Sequence, residues 1–434
     1  MFKKLFKKIL VFILELESKL ILKKYQPEII AITGSVGKTS VKEAIFAVLA
    51  AKFSVRKSEK SYNSELGVTL ALIGAANAWY SSVKWLKNIF QGIKLIISRD
   101  KSYPKLIILE LGADRPGDIS RLIRYIQPKV GVVTAIGEVP VHVEFFAGAE
   151  ELAAEKAKLV EILEPLGWAV LLADDDAVSD MKEKTRAQTL TYGFDEHADI
   201  RASEYLILYR EENRFFPEGV SFKVDHGGSS IPIRLFNVFG RQAVYAALAA
   251  VAIGIIYKMN LVEIAEALAR FSAPPGRLKL IEGEKETWIL DDTYNASPQA
   301  MHAALDLLRD LPAKRKIAVL GDMLELGQFT IQAHRKVGGQ ARGIADIVIT
   351  VGPRSKFIAD ELIQSGFESG RLYSVSDSIA AGKELEKIIK PGDLILVKGS
   401  QAMRMERVVE EIMARPEEKE KLLVRQEPEW LNKE

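Results

Sequence analysis

The sequence predicts an α/β protein: a P-loop central ATPase domain followed by a Rossmann-like, doubly wound C-terminal domain. Three observations carry that prediction. A short apolar segment, residues 29–32, runs into a glycine-containing turn and then a helical pattern from Lys38. Beyond Trp288, five apolar segments alternate with helical patterns, as a parallel sheet requires. Between the two parts stands Pro274-Pro275-Gly276, a turn that reads as an inter-domain hinge.

The bulk properties narrow the function. A chain of 434 residues can hold two or three domains with cores of their own. Its 60 basic and 58 acidic residues leave a net charge of +2, so no global field points to nucleic acid. The chain has no cysteine, which excludes disulfides, thiolate nucleophiles and cysteine metal sites. That composition suits a reducing compartment, and a cytoplasmic protein is expected.

Four segments follow in order. Residues 1–27 read as an N-terminal amphipathic basic helix. Lys3, Lys4, Lys7, Lys8, Lys19, Lys23 and Lys24 stand among Phe2, Leu5, Phe6, Ile9, Phe12, Ile13, Leu16 and Leu20, which recur at helical spacing. Its uninterrupted apolar run, residues 9–14, falls far short of the about 20 residues that span a bilayer. Two placements suit it: on an anionic membrane surface, or packed on the protein's own core with its lysines in water. Residues 28–273 form the expected central domain, with strands at 29–32, 106–109, 130–134 and 169–172. It continues with an antiparallel patch over 200–235 and an alanine-rich helix over 240–257. Residues 274–415 form the C-terminal domain, with strands at 288–291, 316–320, 347–351, 372–375 and 394–397. Residues 416–434, rich in Glu and Lys, read as a charged tail, solvated or disordered.

Chemistry concentrates at the first strand-to-helix turn, Gly34-Ser35-Val36-Gly37-Lys38-Thr39-Ser40. Glycines let a backbone curl so that its amides meet phosphate oxygens, and the helix N-terminus adds positive potential. Lys38 is placed to reach the outer phosphates, and the Thr39 hydroxyl suits Mg²⁺. ATP and Mg²⁺ are therefore the expected cofactors. The spacing is shorter than that of the general phosphate loop.

The shortened loop and the motifs after it resemble the Mur ligase family of cell-wall synthesis, in particular its D-alanyl-D-alanine-adding branch. Tyr62-Asn63-Ser64-Glu65-Leu66-Gly67, Glu110-Leu111-Gly112-Ala113 and His142-Val143-Glu144 with Phe146 are similar to its segments. So are Asp291-Asp292-Thr293-Tyr294-Asn295-Ala296, Gly321-Asp322-Met323-Leu324-Glu325-Leu326-Gly327 with His334, and Val397-Lys398-Gly399-Ser400. The likeness runs over residues 30–413.

The resemblance implies a ligase that moves the γ-phosphate of ATP onto a carboxylate and lets an amine displace it. Negative charge gathers in both steps, so catalysis would be mainly electrostatic and positional. The implied catalytic residues are Lys38, Glu110, His142 and Lys156. Thr39, Glu110, His142 and Lys156, if carbamylated, would hold the metal, with Lys158 the competitor for the last place. Arg277, Asp292 and Asn295 would join the loop in holding the nucleotide. Asn63, Tyr294, Glu325, His334, Lys398 and Ser400 would meet the substrates. The implied partners are a peptidoglycan-precursor-like carboxylate and an amino-acid or dipeptide amine.

Three departures qualify the resemblance. Only one helix precedes the phosphate loop, where the family's muramoyl ligases carry a UDP-sugar-binding domain. Gly240-Arg241-Gln242-Ala243 replaces a G-x-H-N segment, so Ala243 lacks the amide that contacts the adenine side, and Gln401 replaces a common arginine. Residues 75–103 read as an insertion bearing Trp79, Tyr80, Trp85, Phe90, Lys84, Lys87, Lys94 and Arg99. With residues 1–25 it shares a basic and aromatic character suited to peripheral contact at the inner face of a membrane, or to a helical pair packed on itself. A Mur-type ligase for another acid (a folate, a polyglutamate or a lipid-linked wall unit) remains an alternative. So does a phosphate-loop protein that hydrolyses or regulates without ligating.

Overall fold

The computed structural model describes residues 2–59, 62–79, 81–140, 142–210 and 213–431. The side chains of residues 2–8 and 213–216 fall outside that description, as does Tyr80. The expectations placed on the side chains of Phe2, Lys3, Lys4, Leu5, Phe6, Lys7 and Lys8, and on Tyr80, therefore lie outside what is described.

Two sheets organise the chain. The first contains β1 (Glu28–Thr33), β2 (Val55–Lys57), β3 (Leu106–Glu110), β4 (Val130–Val133), β5 (Trp168–Leu172), β6 (Gln188–Gly193), β7 (Ile200–Arg210), β8 (Asn213–His226) and β9 (Ser229–Phe236), in the spatial order β2-β3-β1-β4-β5-β6-β7-β8-β9. Pairing is parallel from β2 to β7 and antiparallel through β7, β8 and β9. The parallel strands β1, β3 and β4 are continuous apolar runs because both of their faces are covered. The second sheet contains β10 (Lys279–Gly283), β11 (Thr287–Asp292), β12 (Arg315–Gly321), β13 (Ile347–Val351), β14 (Leu372–Val375) and β15 (Asp393–Lys398), ordered β10-β11-β15-β12-β13-β14. Only β10 is antiparallel, at the edge.

The expected α/β architecture is present, with three strands added. β2 is three half-buried residues, β6 is rich in Gln and Thr, and β10 alternates at an edge. None of the three offers the apolar run by which the buried parallel strands are recognised.

Helices cover the first sheet. α1 (Phe2–Tyr25) packs on α3 (Glu65–Ile73) and α4 (Ser82–Ile97), while α2 (Lys38–Ala50) packs on the helix Arg241–Ile256. Ala246, Ala247, Ala249 and Ala250 are fully buried in that helix, and their small side chains let the two helix axes approach closely. α5 (Asp118–Ile126) and α6 (Ala149–Glu161) complete the wall beside the loop. No described helix is long and apolar enough to cross a membrane.

The expectation of a solvated or disordered tail is corrected over residues 416–431. Leu423 and Arg425 are buried. Arg425 Nη1 pairs with Glu406 Oε2 at 2.7 Å and donates to the Thr293 carbonyl at 3.2 Å. Arg404 Nη1 donates to the Trp430 carbonyl at 2.9 Å. One buried arginine and its carboxylate thus dock a segment whose average composition is that of a solvated helix.

Candidate active site

β1 lies between β3 and β4, so the chain leaves β1 where the strand order diverges, the place where open parallel sheets bind ligands. Gly34 has φ 136°, and a Cβ there would lie 2.0 Å from Thr134 Oγ1, so only glycine fits. Gly37 caps α2 in the left-handed region. The amides of Ser35 and Val36 donate to the Ala135 carbonyl at 2.8 and 3.0 Å, so they are turned onto the segment after β4. What faces an incoming anion is therefore the first turn of α2, whose opening amides have no intrahelical carbonyl to reach.

Charge is packed tightly behind this turn. Lys38 Nζ donates to the Gly34 carbonyl at 2.7 Å, and Lys156 Nζ, from α6, reaches the same carbonyl at 3.1 Å. Burial draws the Lys38 ammonium below its ordinary value, with Glu110 pulling the other way. Lys156 is held well below the usual lysine range, first by burial and then by the charge of Lys38. Lys158, by contrast, is exposed and pairs with Glu161 at 2.7 Å. Glu110 ends β3 in a buried position, its two carboxylate oxygens 3.3 and 3.2 Å from Thr39 Oγ1 and one of them 3.6 Å from Lys42 Nζ. A hydroxyl and one buried carboxylate are hard oxygen donors of the kind Mg²⁺ takes beside substrate phosphates, and the pair fits that ion.

The second sheet meets the first across this point. Arg277 Nη2 donates to Thr39 Oγ1 at 3.4 Å, and its guanidinium lies 4.0 Å over the Tyr294 ring. His142 Nδ1 lies 2.7 Å from Glu325 Oε2, and its Nε2 lies 3.6 Å from Asp114 Oδ1. The contact with His142 pulls the Glu325 carboxyl below its usual value. Gly34, Ser35, Val36, Lys38, Asn63, Glu110, His142 and Lys156 line one side of a crevice of ≈ 560 Å³. Arg277, Tyr294, Asn295, Glu325 and Ser400 line the other, with Trp430 of the tail. A neighbouring recess of ≈ 450 Å³ continues past Asn63 towards Arg115 and Arg121. A small recess of ≈ 50 Å³, between Gly37, Ser40, Phe239, Gln242 and Ala243 on one side and Asp292 and Lys398 on the other, adjoins the loop. Arg241 turns away from it and stacks on Phe194 at 4.0 Å.

Two expected substrate residues stand elsewhere. His334 is fully buried, accepting from the Met323 amide through Nε2 at 3.0 Å and meeting the Thr330 carbonyl through Nδ1 at 2.7 Å. Those partners call for a neutral ring with its proton on Nδ1, and burial lowers its pKa accordingly. His334 fixes the loop that carries Glu325. Lys398 is buried beside the small recess, paired with Asp292 Oδ2 at 2.6 Å and donating to the Asn295 carbonyl at 2.8 Å. Several residues at the site have no place in the sequence reading, among them Lys42, Asp114, Arg115, Arg121, Arg425 and Trp430. Lys42 stands one helical turn after Lys38, and Asp114 directly follows the Glu110–Ala113 motif, so both were within reach of it. The tail pair carried no local signal.

Residues 32–254 match the family model of the Mur ligase middle domain. The chain belongs to the Mur ligase family. Residues 276–401 match the model described as the Mur ligase glutamate ligase domain. Among curated relatives of this Mur ligase is the UDP-N-acetylmuramoyl-tripeptide–D-alanyl-D-alanine ligase of Bacillus subtilis, 28% identical over 401 residues, covering 92% of this chain and 79% of the relative. Among solved structures, MurF from Thermotoga maritima in complex with ADP superposes with a TM-score of 0.75 at 26% identity, covering 93% of this chain and 83% of that one. MurF from Acinetobacter baumannii superposes with a TM-score of 0.75 at 25% identity, covering 92% and 79%.

Proposed function

We propose that this Mur ligase is an ATP-dependent acid–amine ligase that works through an acyl phosphate. It would add D-alanyl-D-alanine or a similar amine to a peptidoglycan-precursor-like carboxylate. The units proposed for the work are residues 28–273, which hold the nucleotide, and 274–415, which close on it. The observation that carries the reading is the single crevice in which Lys38, Glu110, His142 and Lys156 face Arg277, Asn295, Glu325 and Ser400. The names of the relatives support the same chemistry.

In this reading the first turn of α2 and Lys38 hold the terminal phosphates, and Arg277 reaches them from the second sheet. Thr39 and Glu110 would hold Mg²⁺, which would supply charge neutralisation at the phosphates; His142 and a carbamylated Lys156 are its further proposed ligands. Asp292 and Lys398 stand at the nucleotide. Asn63 and the recess beyond it, where Arg115 and Arg121 stand among Glu65, Asp114 and Asp118, border the acceptor. Tyr294, Glu325 and Ser400 border the amine. We also propose that the protein works at the inner face of the membrane, through residues 1–25 and 75–103.

The test is a substrate panel read by phosphate release and product mass. It crosses UDP-muramoyl tripeptide and lipid-linked precursors with D-alanyl-D-alanine and single amino acids. Release that requires both an acid and an amine supports the ligase. ATP turnover indifferent to both leaves a plain NTPase instead.

A further inference from the structure

α4 has two apolar faces. Trp85, Gly92 and Leu95 are buried, whereas Val83, Leu86, Phe90, Ile93 and Ile97 are 38–79% exposed. The exposed set recurs at three- and four-residue steps, along one side of the helix. α1 repeats the pattern: Leu10, Leu14 and Ile21 are buried, and Ile9, Phe12, Leu16 and Leu20 are 44–67% exposed. A Cβ on Gly92 would lie 2.1 Å from Glu17 Oε2, so α1 and α4 touch at that glycine. Lys24 Nζ fastens the same seam further on, donating to the carbonyls of Leu95, Ile96 and Ser98 at 3.0, 2.7 and 2.7 Å. Both helices rest on α3. At about 100° per residue, the exposed residues of each helix form a stripe on the side away from that helix's own buried residues. The nine apolar side chains thus stand exposed on two helices packed against each other, with half-buried Ile89 and Ile96 between the α4 stripe and the core.

Contiguous apolar surfaces of that kind mark an interaction site. Charge identifies the occupant. The segment Ser82–Ile97 carries Lys84, Lys87 and Lys94, all exposed, and no Asp or Glu. On α1, Lys23 is exposed, Glu15 is tied to Lys19 at 2.7 Å, and Glu17 is buried. A pair of helices rimmed by lysines suits a flat, negatively charged plane: the stems lie along apolar material and the ammonium groups stay at the polar boundary.

We propose that α1 and α4 dock the protein on an anionic bilayer surface, with Phe12, Leu16, Phe90 and Ile97 entering the headgroup–acyl boundary. This deepens the membrane part of the proposed function and is independent of the ligase chemistry. α3, on which the pair rests, starts beside Asn63, so the acceptor end of the crevice lies one helix away from the docked surface.

The experiment is co-sedimentation of the full chain with phosphatidylcholine vesicles, with and without phosphatidylglycerol, across a salt series. Binding is expected to the anionic vesicles and to weaken with salt. Phe12→Ser with Phe90→Ser removes two side chains that are each 67% exposed, so folding is preserved and melting is unchanged. That variant is expected to lose roughly a hundredfold in partition, since each phenyl contributes a factor of about ten. Lys84→Glu with Lys87→Glu is expected to lose the preference for phosphatidylglycerol. No binding at low salt, or equal binding by the Phe12/Phe90 variant, overturns the proposal. A concentration-dependent dimer abolished by the same variant, without vesicle binding, reassigns the surface to a second copy of the chain. Failure of the ligase reading leaves this measurement untouched, because it uses no substrate.

Discussion

The strand ends of β1 and β3 face those of β11 and β15 across one crevice, and the two sides treat charge differently. On the first side Lys38 and Lys42 stand beside the buried Glu110, and the buried ammonium groups of Lys38 and Lys156 crowd onto one oxygen, the Gly34 carbonyl. On the second, Lys398 is matched to Asp292 at 2.6 Å, and Asp291 is satisfied by Thr293 and the Gly276 amide. Buried cationic charge in excess of its counter-charge is costly. It is kept where an anion arrives to balance it. A matched pair needs no ligand and acts as a brace. In the proposed function the first side is therefore the reacting side, and the second braces the opposite wall of the crevice.

Four variants press on that contrast. Lys38→Ala is expected to cut product formation by about a thousandfold or more while the melting temperature holds, because an electrostatic phosphate contact is lost. Near-normal turnover breaks the contrast outright. Lys398→Met strands the buried Asp292 carboxylate, and urea unfolding is expected to show a loss of about 3–5 kcal/mol. A Lys398→Met protein as stable as the parent means that Lys398 is not a brace. Asp291 sharpens the same side through pH. Burial pushes its carboxyl up from 3.8 to about 6. A folded value above the unfolded one gives stability that is full below pH 3.8 and lost as pH rises through about 6. The parent's stability relative to Asp291→Asn is therefore expected to fall between pH 4 and pH 7, by on the order of 2 kcal/mol. A difference that is flat with pH removes that account of Asp291. The smallest effect belongs to Arg277→Lys: a severalfold rise in the KM for ATP with little change in folding, as the fork and its stacking on Tyr294 are lost.

The sequence made the first side more legible than the second. The loop from Gly34 to Ser40 is local, so its strand, glycines and lysine can be read along the chain. The long apolar strands were legible for the same reason, while β2, β6 and β10 are too short or too polar to carry a period. His334 and Lys398 show the limit of motif reading. Each sits inside a recognisable segment, yet its hydrogen bonds turn it inward, His334 to Met323 and Thr330, Lys398 to Asp292 and Asn295. The tail was illegible because Arg425 and Trp430 acquire their roles from partners such as Thr293, Arg404 and Glu406, distant in sequence or unremarkable in type. Lys42, one turn beyond Lys38, carries no signal of its own because helix lysines are usually exposed.

The central claim, that this crevice activates a carboxylate with ATP, is tested most directly by oxygen transfer. An acceptor labelled with ¹⁸O in its carboxylate is turned over with unlabelled ATP and an amine, and the released phosphate is weighed by mass spectrometry. An acyl phosphate carries one carboxylate oxygen into the phosphate, so each phosphate released is expected to contain one ¹⁸O. Phosphate free of label, released at the same rate, contradicts the account.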